Sequence, residues 1–325
     1  MEGVFEPNHV EVEYVPAGSS LPNRPEAAEQ FIESEWQRRI ANGLKPRPND
    51  IKPSRYRLVK AETYSDERGR KKLRITLDPC ISYRDTVGTR PPEFKEKFGA
   101  EQLPNPVAVT TVIRARNQKR EEMLVITLRD EKHDFKPGGY HVSTGGAMSL
   151  PKSKKNEQGG VFTPPPESAT DTARREIVEE VGLTEEEGRQ LKLTCRGVVG
   201  HPTASSTEII YEAETNVSVE EIQDRIGDGE NKVMCIPANA KSMLAWAALP
   251  THANVAVTNA AILMVGKDIV AREEGKEAAE KWEKRLKGLF AMRTEQERRR
   301  GLDEMERRAY ATLARMVEKL GNYDK

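Results

Sequence analysis

The chain has 325 residues with 52 basic and 52 acidic side chains, so no global charge draws it to nucleic acid or to an anionic membrane. An apolar share of 36% beside a charged share of 32% excludes a fully disordered chain and fits a packed core with charged helices or tails. No apolar run approaches the roughly 20 residues that span a bilayer. The acidic stretch 1–16 lacks the apolar region of a signal peptide, and Cys80, Cys195 and Cys235 are scattered without zinc-site spacing. A soluble protein of a reducing, cytoplasmic setting is expected.

Residues 1–24 read as a loose leader. Pro25 opens a helical run in which Phe31, Ile32, Trp36 and Ile40 recur at helical spacing, and Gly43 stops it. After a proline-rich stretch, 45–53, two strands are predicted: 56–61, and one in which Leu73, Ile75 and Leu77 alternate with polar residues. A charged turn, 67–72, joins them. Tyr83-Arg84-Asp85 reads as a turn, followed by a loop through Pro91, Pro92 and Pro104. Residues 1–103 hold little apolar material, so this region is expected to lean on the chain beyond residue 103 instead of closing a core alone.

Strands 107–113 and 123–128, joined by a polar turn, open the next segment. A short strand, 140–143, lies between Gly138-Gly139 and Gly145-Gly146. Residues 147–160 carry Lys152, Lys154 and Lys155 with no apolar period, and read as an inserted, mobile surface loop. Behind Pro164-Pro165-Pro166 comes the most strongly signalled helix, with Ser168 as N-cap and Gly182 at its C-terminal end. Strands 191–199, 208–214 and 232–236 and helices 218–226, 240–248 and 254–264 come next. Beyond residue 268 the chain is charged and helix-prone. Trp282, Leu286, Leu289 and Phe290, then Leu313, Met316, Val317 and Leu320, mark amphipathic helices that pack on the body or on a second copy. Arg298-Arg299-Arg300 reads as a solvated face, and His141 and His201 as core or loop histidines.

Chemistry concentrates on the helix after Ser168. Glu176, Glu179 and Glu180 stand at i, i+3 and i+4, which puts three carboxylates on one face. Like charges at that spacing repel unless a cation sits among them. Mg²⁺, or Mn²⁺ in its place, is the natural candidate, because Mg²⁺ takes hard oxygen ligands and bridges carboxylates to substrate phosphates. Ala173, Ile177 and Val181 form a second, apolar face, read as buried.

Residues 167–183, ESATDTARREIVEEVGL, resemble the Nudix box from its first glutamate onward: E-x7-R-E-U-x-E-E-x-G-U, with U a bulky apolar residue. The box's opening glycine has no counterpart at strict spacing, where Val161 stands; Gly145-Gly146 followed by the insertion 147–160 takes its place. Short motifs at Trp36, Tyr56-Arg57-Leu58 and Ser82-Tyr83-Arg84-Asp85 with Gly88-Thr89 resemble the branch that hydrolyses UDP-glucose and UDP-galactose. The likeness covers residues 30–265. It implies an α/β/α sandwich with a mixed β-sheet in a hydrolase domain, 104–267. An N-terminal extension, 1–103, would complete the substrate cleft, and a charged helical tail, 268–325, would follow.

The implied activity is hydrolysis of the pyrophosphate bond of a nucleoside diphosphate-linked compound. A UDP-sugar, giving UMP and sugar 1-phosphate, comes first; ADP-ribose, a dinucleotide or capped RNA are the alternatives. A nucleotide-binding protein without turnover is the rival reading. By the resemblance, Glu176, Glu179 and Glu180 ligate the metal with help from Gly146, while Glu167, Arg175 and Gly182 are structural, Arg175 pairing with Glu167 as a planar fork. Glu176, Glu208 and Glu230 are the candidate bases. Tyr83, Arg84 and Arg129 are candidate substrate contacts. The expected partner is a small nucleotide, with neither membrane nor nucleic acid, and a homodimer through the C-terminal helices is a further expectation.

Overall fold

A computed structural model describes residues 2–89, 92–129, 140–142, 144–155, 161–200, 206–225, 231–249, 256–292 and 294–321. The chain is an α/β protein that divides into two compact units. The first gathers Met1–Val109, Gly146–Thr172 and Gly197–Ile209; the second gathers Thr110–Gly145, Ala173–Arg196 and Ile210–Lys325.

The N-terminal part holds strands β1 (Glu2–Phe5) and β2 (Val10–Tyr14), helix α1 (Glu26–Ala41), strands β3 (Pro53–Ser65) and β4 (Lys71–Ser82), and helices α2 (Tyr83–Gly88) and α3 (Pro92–Phe98). β4 lies between β2, parallel to it, and β3, antiparallel to it. The period of two predicted for β4 is observed: Leu73, Ile75 and Leu77 are fully buried, while on the other face Lys72 and Arg74 meet Glu11 of β2. The charged turn is tighter than expected. Asp66 accepts the N–H groups of Arg68 and Arg70, and Gly69 supplies a φ of 73°.

Three expectations fail here. Residues 1–24 are not a loose leader: they hold β1 and β2, β2 pairs with β4, and the Gly18 and Ser20 N–H groups donate to the Asp78 carboxylate. Residues 83–85 are not a free turn but the first turn of α2, because Ser82 and Asp85 form a capping box: Ser82 Oγ accepts the Asp85 N–H at 3.0 Å and the Asp85 carboxylate accepts the Ser82 N–H at 3.2 Å. Residues 92–98 are not a loop but α3, with Pro92 in the first turn, where a missing N–H costs nothing. α3 supplies the apolar material that residues 1–103 were thought to lack. Its Phe94 is buried with Ala28 and Ile32 of α1 and with Leu103, and Phe31 and Phe98 pack at the margin. The apolar face of α1 is therefore covered inside its own unit.

Next come β5 (Val107–Arg116), β6 (Glu122–Arg129), β7 (Tyr140–Val142) and β8 (Thr144–Ala147), then the two-residue strands β9 (Lys154–Lys155) and β10 (Val161–Phe162). The insertion is more ordered at its start than expected. Met148 is buried and its N–H reaches Val107, the Leu150 N–H reaches Ser54, and β9 pairs with β10. Residues 156–160 lie outside the described residues.

Then come α4 (Ala169–Val181), α5 (Glu185–Gln190), β11 (Lys192–Gly200), β12 (Thr207–Ser218), α6 (Val219–Arg225) and β13 (Asn231–Pro237). α5 was not foreseen; Thr184 and Glu187 cap it as a box. The large sheet includes the strand order β11-β12-β5-β6-β13. β5 and then β7 occupy successive stretches of β6, opposite β13.

Five helices complete the second unit: α7 (Ala240–Ala247), α8 (Ala256–Glu274), α9 (Lys276–Ala291), α10 (Glu295–Arg300) and α11 (Glu304–Gly321). α8 runs through residue 268, so the expected tail begins inside a helix. Gly266 lets α9 approach closely: a Cβ there would lie 2.5 Å from the Trp282 ring and 2.8 Å from Met243 Sδ. Trp282 is anchored by its indole N–H on the Ala240 carbonyl at 3.1 Å. Of the expected stripe, Trp282, Leu286, Leu289 and Leu313 are buried within this one chain, while Phe290, Met316 and Val317 are half-buried. The arginine cluster is a solvated face only in part, since Arg299 and Arg300 are exposed. Arg298 is 1% exposed and donates to the carbonyls of Met292 and Ala248, while Arg299 lies over the Tyr310 ring. Among the described residues, no helix is long and apolar enough to cross a membrane.

Candidate active site

α4 is built as its sequence dictates. Ser168 Oγ accepts the Asp171 N–H at 3.1 Å and donates to the Asp171 carboxylate at 2.7 Å, closing the first turn. Gly182 ends the helix at a φ of 73°, a backbone state in which any Cβ is strained. Ala173, Ile177 and Val181 are fully buried and mount the helix rigidly. The carboxylates flank that seam. Glu176 is largely buried, Glu180 half-buried and Glu179 exposed.

Arg175 lies between two of them. Its Nη1 is 2.8 Å from Glu176 and 2.9 Å from Glu179, so a cationic donor relieves the repulsion that the spacing creates. Glu180 is held differently, accepting the backbone N–H of Gly145 at 3.2 Å. Glu167, the expected partner of Arg175, accepts a hydrogen bond from Thr172 Oγ1 at 3.0 Å. The Gly145 amide is a site group that sequence reasoning missed. The Gly-Gly pair was its only signal, since backbone without a Cβ admits a carboxylate closely.

Among the described residues, no group of three or more His, Cys, Asp or Glu side chains is placed to hold a metal ion. The three carboxylates of α4 nevertheless lie within about one turn of helix. The buried Thr144 Oγ1, one residue before Gly145 in the chain, has no hydrogen-bond partner among the described residues.

The remaining candidates fall elsewhere in the fold. Gly146 sits half-buried in β8 and Glu208 near the start of β12, where Ser206 Oγ reaches it at 3.4 Å; both belong to the first unit. Arg129 ends β6 opposite Asn231 of β13. Glu230, His201 and Gly138-Gly139 lie outside the described residues. Tyr83 opens α2, meets Trp36 edge-on at 6.2 Å between centroids, and lies beneath the Arg55 guanidinium. Arg84 spans to α1, 3.1 Å from both Glu29 and Glu33. Burial pushes the Asp85 carboxyl up, but hydrogen bonds from Ser82 and the Arg24 charge at 2.7 Å outweigh it and hold the group below its ordinary range.

A second polar constellation was not foreseen. Arg196 of β11, Glu212 of β12, Arg114 of β5 and Glu122 of β6 alternate in charge across four neighbouring strands. α8 closes both ends, Asp268 on Arg196 and Arg272 on Glu122. Arg114 is committed to three carboxylates: those of Glu212, Glu122 and Glu214.

No family model matches the chain, and no curated protein matches it. It is similar in structure to several solved proteins. One is a MutT/nudix family protein from Enterococcus faecalis, at 17% identity over 41% of this chain and 43% of that one, with a TM-score of 0.26. Another is NrtR from Shewanella oneidensis, at 15% identity over 60% of this chain and 83% of that one, TM-score 0.33. A third is a NUDIX hydrolase from Alicyclobacillus acidocaldarius, at 17% identity over 54% of this chain and 95% of that one, TM-score 0.33. The chain spans less than half of the first of these. At such identities and TM-scores, function must be read from the residues of α4 themselves.

Proposed function

We propose that the chain is a Nudix-type hydrolase that cleaves the pyrophosphate bond of a nucleoside diphosphate-linked compound with the help of a divalent cation. The observation that carries this reading is α4: an Arg-Glu pair followed by a Glu-Glu pair on a helix whose apolar seam, Ala173, Ile177 and Val181, is fully buried. Glu176, Glu179 and Glu180, joined by the carbonyl of Gly146, would hold Mg²⁺ or Mn²⁺. Such an ion neutralises charge on the bridging and terminal phosphate oxygens and lowers the pKa of a water nucleophile. Glu176, the most buried of the three, is the first candidate for the base, with Glu208 and Glu230 as candidates outside the helix. Glu167, Arg175 and Gly182 fix the direction of the helix. Tyr83, Arg84 and Arg129 are proposed substrate contacts, which makes the extension 1–103 part of the enzyme beside a hydrolase domain, 104–267, and a tail, 268–325.

The substrate class put first is the UDP-sugar, cut to UMP and sugar 1-phosphate. UDP-glucose, UDP-galactose, ADP-ribose, a dinucleotide and capped RNA, each incubated with and without Mg²⁺ and the products weighed by mass spectrometry, test it. Cation-dependent release of a nucleoside monophosphate from any of them supports the enzyme. Turnover of ADP-ribose alone would move the substrate, and no turnover of any would leave a binding protein.

A further inference from the structure

We draw no further inference here: the strongest candidate, the polar cavity that Arg114, Glu122, Glu214 and Asn216 line on the neighbouring strands β12, β5 and β6, carries nothing because its buried Arg114 is already taken by the carboxylates of Glu212, Glu122 and Glu214 and nothing in the structure points to a ligand there.

Discussion

Glu179 and Glu180 differ from Glu176 in what their charges do for the fold. Glu176 is packed among its neighbours, whereas Glu179 is exposed and Glu180 only half-buried, so neutralising either of the latter removes repulsion and leaves the packing alone. Glu179→Gln or Glu180→Gln is therefore expected to lower turnover by about a hundredfold or more, the range for a group acting directly on the reaction. Stability should change by no more than about 0.5 kcal/mol, as for other surface substitutions. Cation-dependent product release and a thermal melt, run on the same preparations, check both halves; near-wild-type turnover by either variant would remove it from the site. A second residue-scale prediction concerns Glu187. Hydrogen bonds from Arg225, at 2.6 and 3.1 Å, and from the Thr184 N–H pull its carboxyl from the ordinary 4.5 to about 2. Because the folded value is the lower one, the stabilisation is fully present above pH 4.5 and fades as pH falls toward 2. Glu187→Gln should lose that part of the acid sensitivity, seen as a flatter melting temperature between pH 5 and 3 relative to wild type, by roughly the small share a solvent-exposed pair can carry.

At the scale of elements, close approach decides more than propensity. Gly266 of α8 faces Trp282 of α9 and Met243 of α7 at distances no Cβ tolerates. Gly266→Ala should destabilise by about 1–3 kcal/mol through overpacking, although alanine favours a helix by up to about 1 kcal/mol. Urea unfolding measures it, and an unchanged midpoint would show that α9 yields instead. This contact also marks the limit of what could be read from the amino acids. α4 was legible because thirteen residues carry a 3.6-residue period and both caps. The alternation of Leu73, Ile75 and Leu77 was equally plain, since a half-buried strand needs no distant information. α2 and α5, at six residues each, are too short for any period, and their signal lay only in the boxes Ser82–Asp85 and Thr184–Glu187. α3 hid among prolines. Within the site, the spacing of the glutamates was visible. That Arg175 would bridge two of them, or that the Gly145 amide would take the third, depends on rotamers and on a chain reversal that no local pattern records.

For the whole molecule, charge is placed inside as well as outside. Arg298 was unreadable as a buried residue because its acceptors, the carbonyls of Ala248 and Met292, come from elsewhere in the chain. The ladder Arg196–Glu212–Arg114–Glu122 is similar, since each partner sits on a different strand. A slip of one residue in any of these strands would turn a charge to the other face and leave its neighbours unpaired in a buried place, so the ladder fixes register. The first unit draws on three separate stretches. A fragment 104–325 would strip residues 146–172 of contacts such as the Leu150 N–H on the Ser54 carbonyl. It is expected to be insoluble or inactive, and recovery of soluble, fully active 104–325 protein in an expression and turnover assay would refute this. The same discontinuity bears on how the protein is born. Residues up to Val109 leave the ribosome long before Gly197–Ile209, which their unit also needs. At about 5–20 residues per second, the hundred or so residues of chain between Val109 and Ile209 take roughly 5–20 s to emerge. Throughout that interval the N-terminal stretch lacks the partners it takes from later residues, such as the Leu150 N–H on the Ser54 carbonyl, and a holding chaperone has its longest opportunity there.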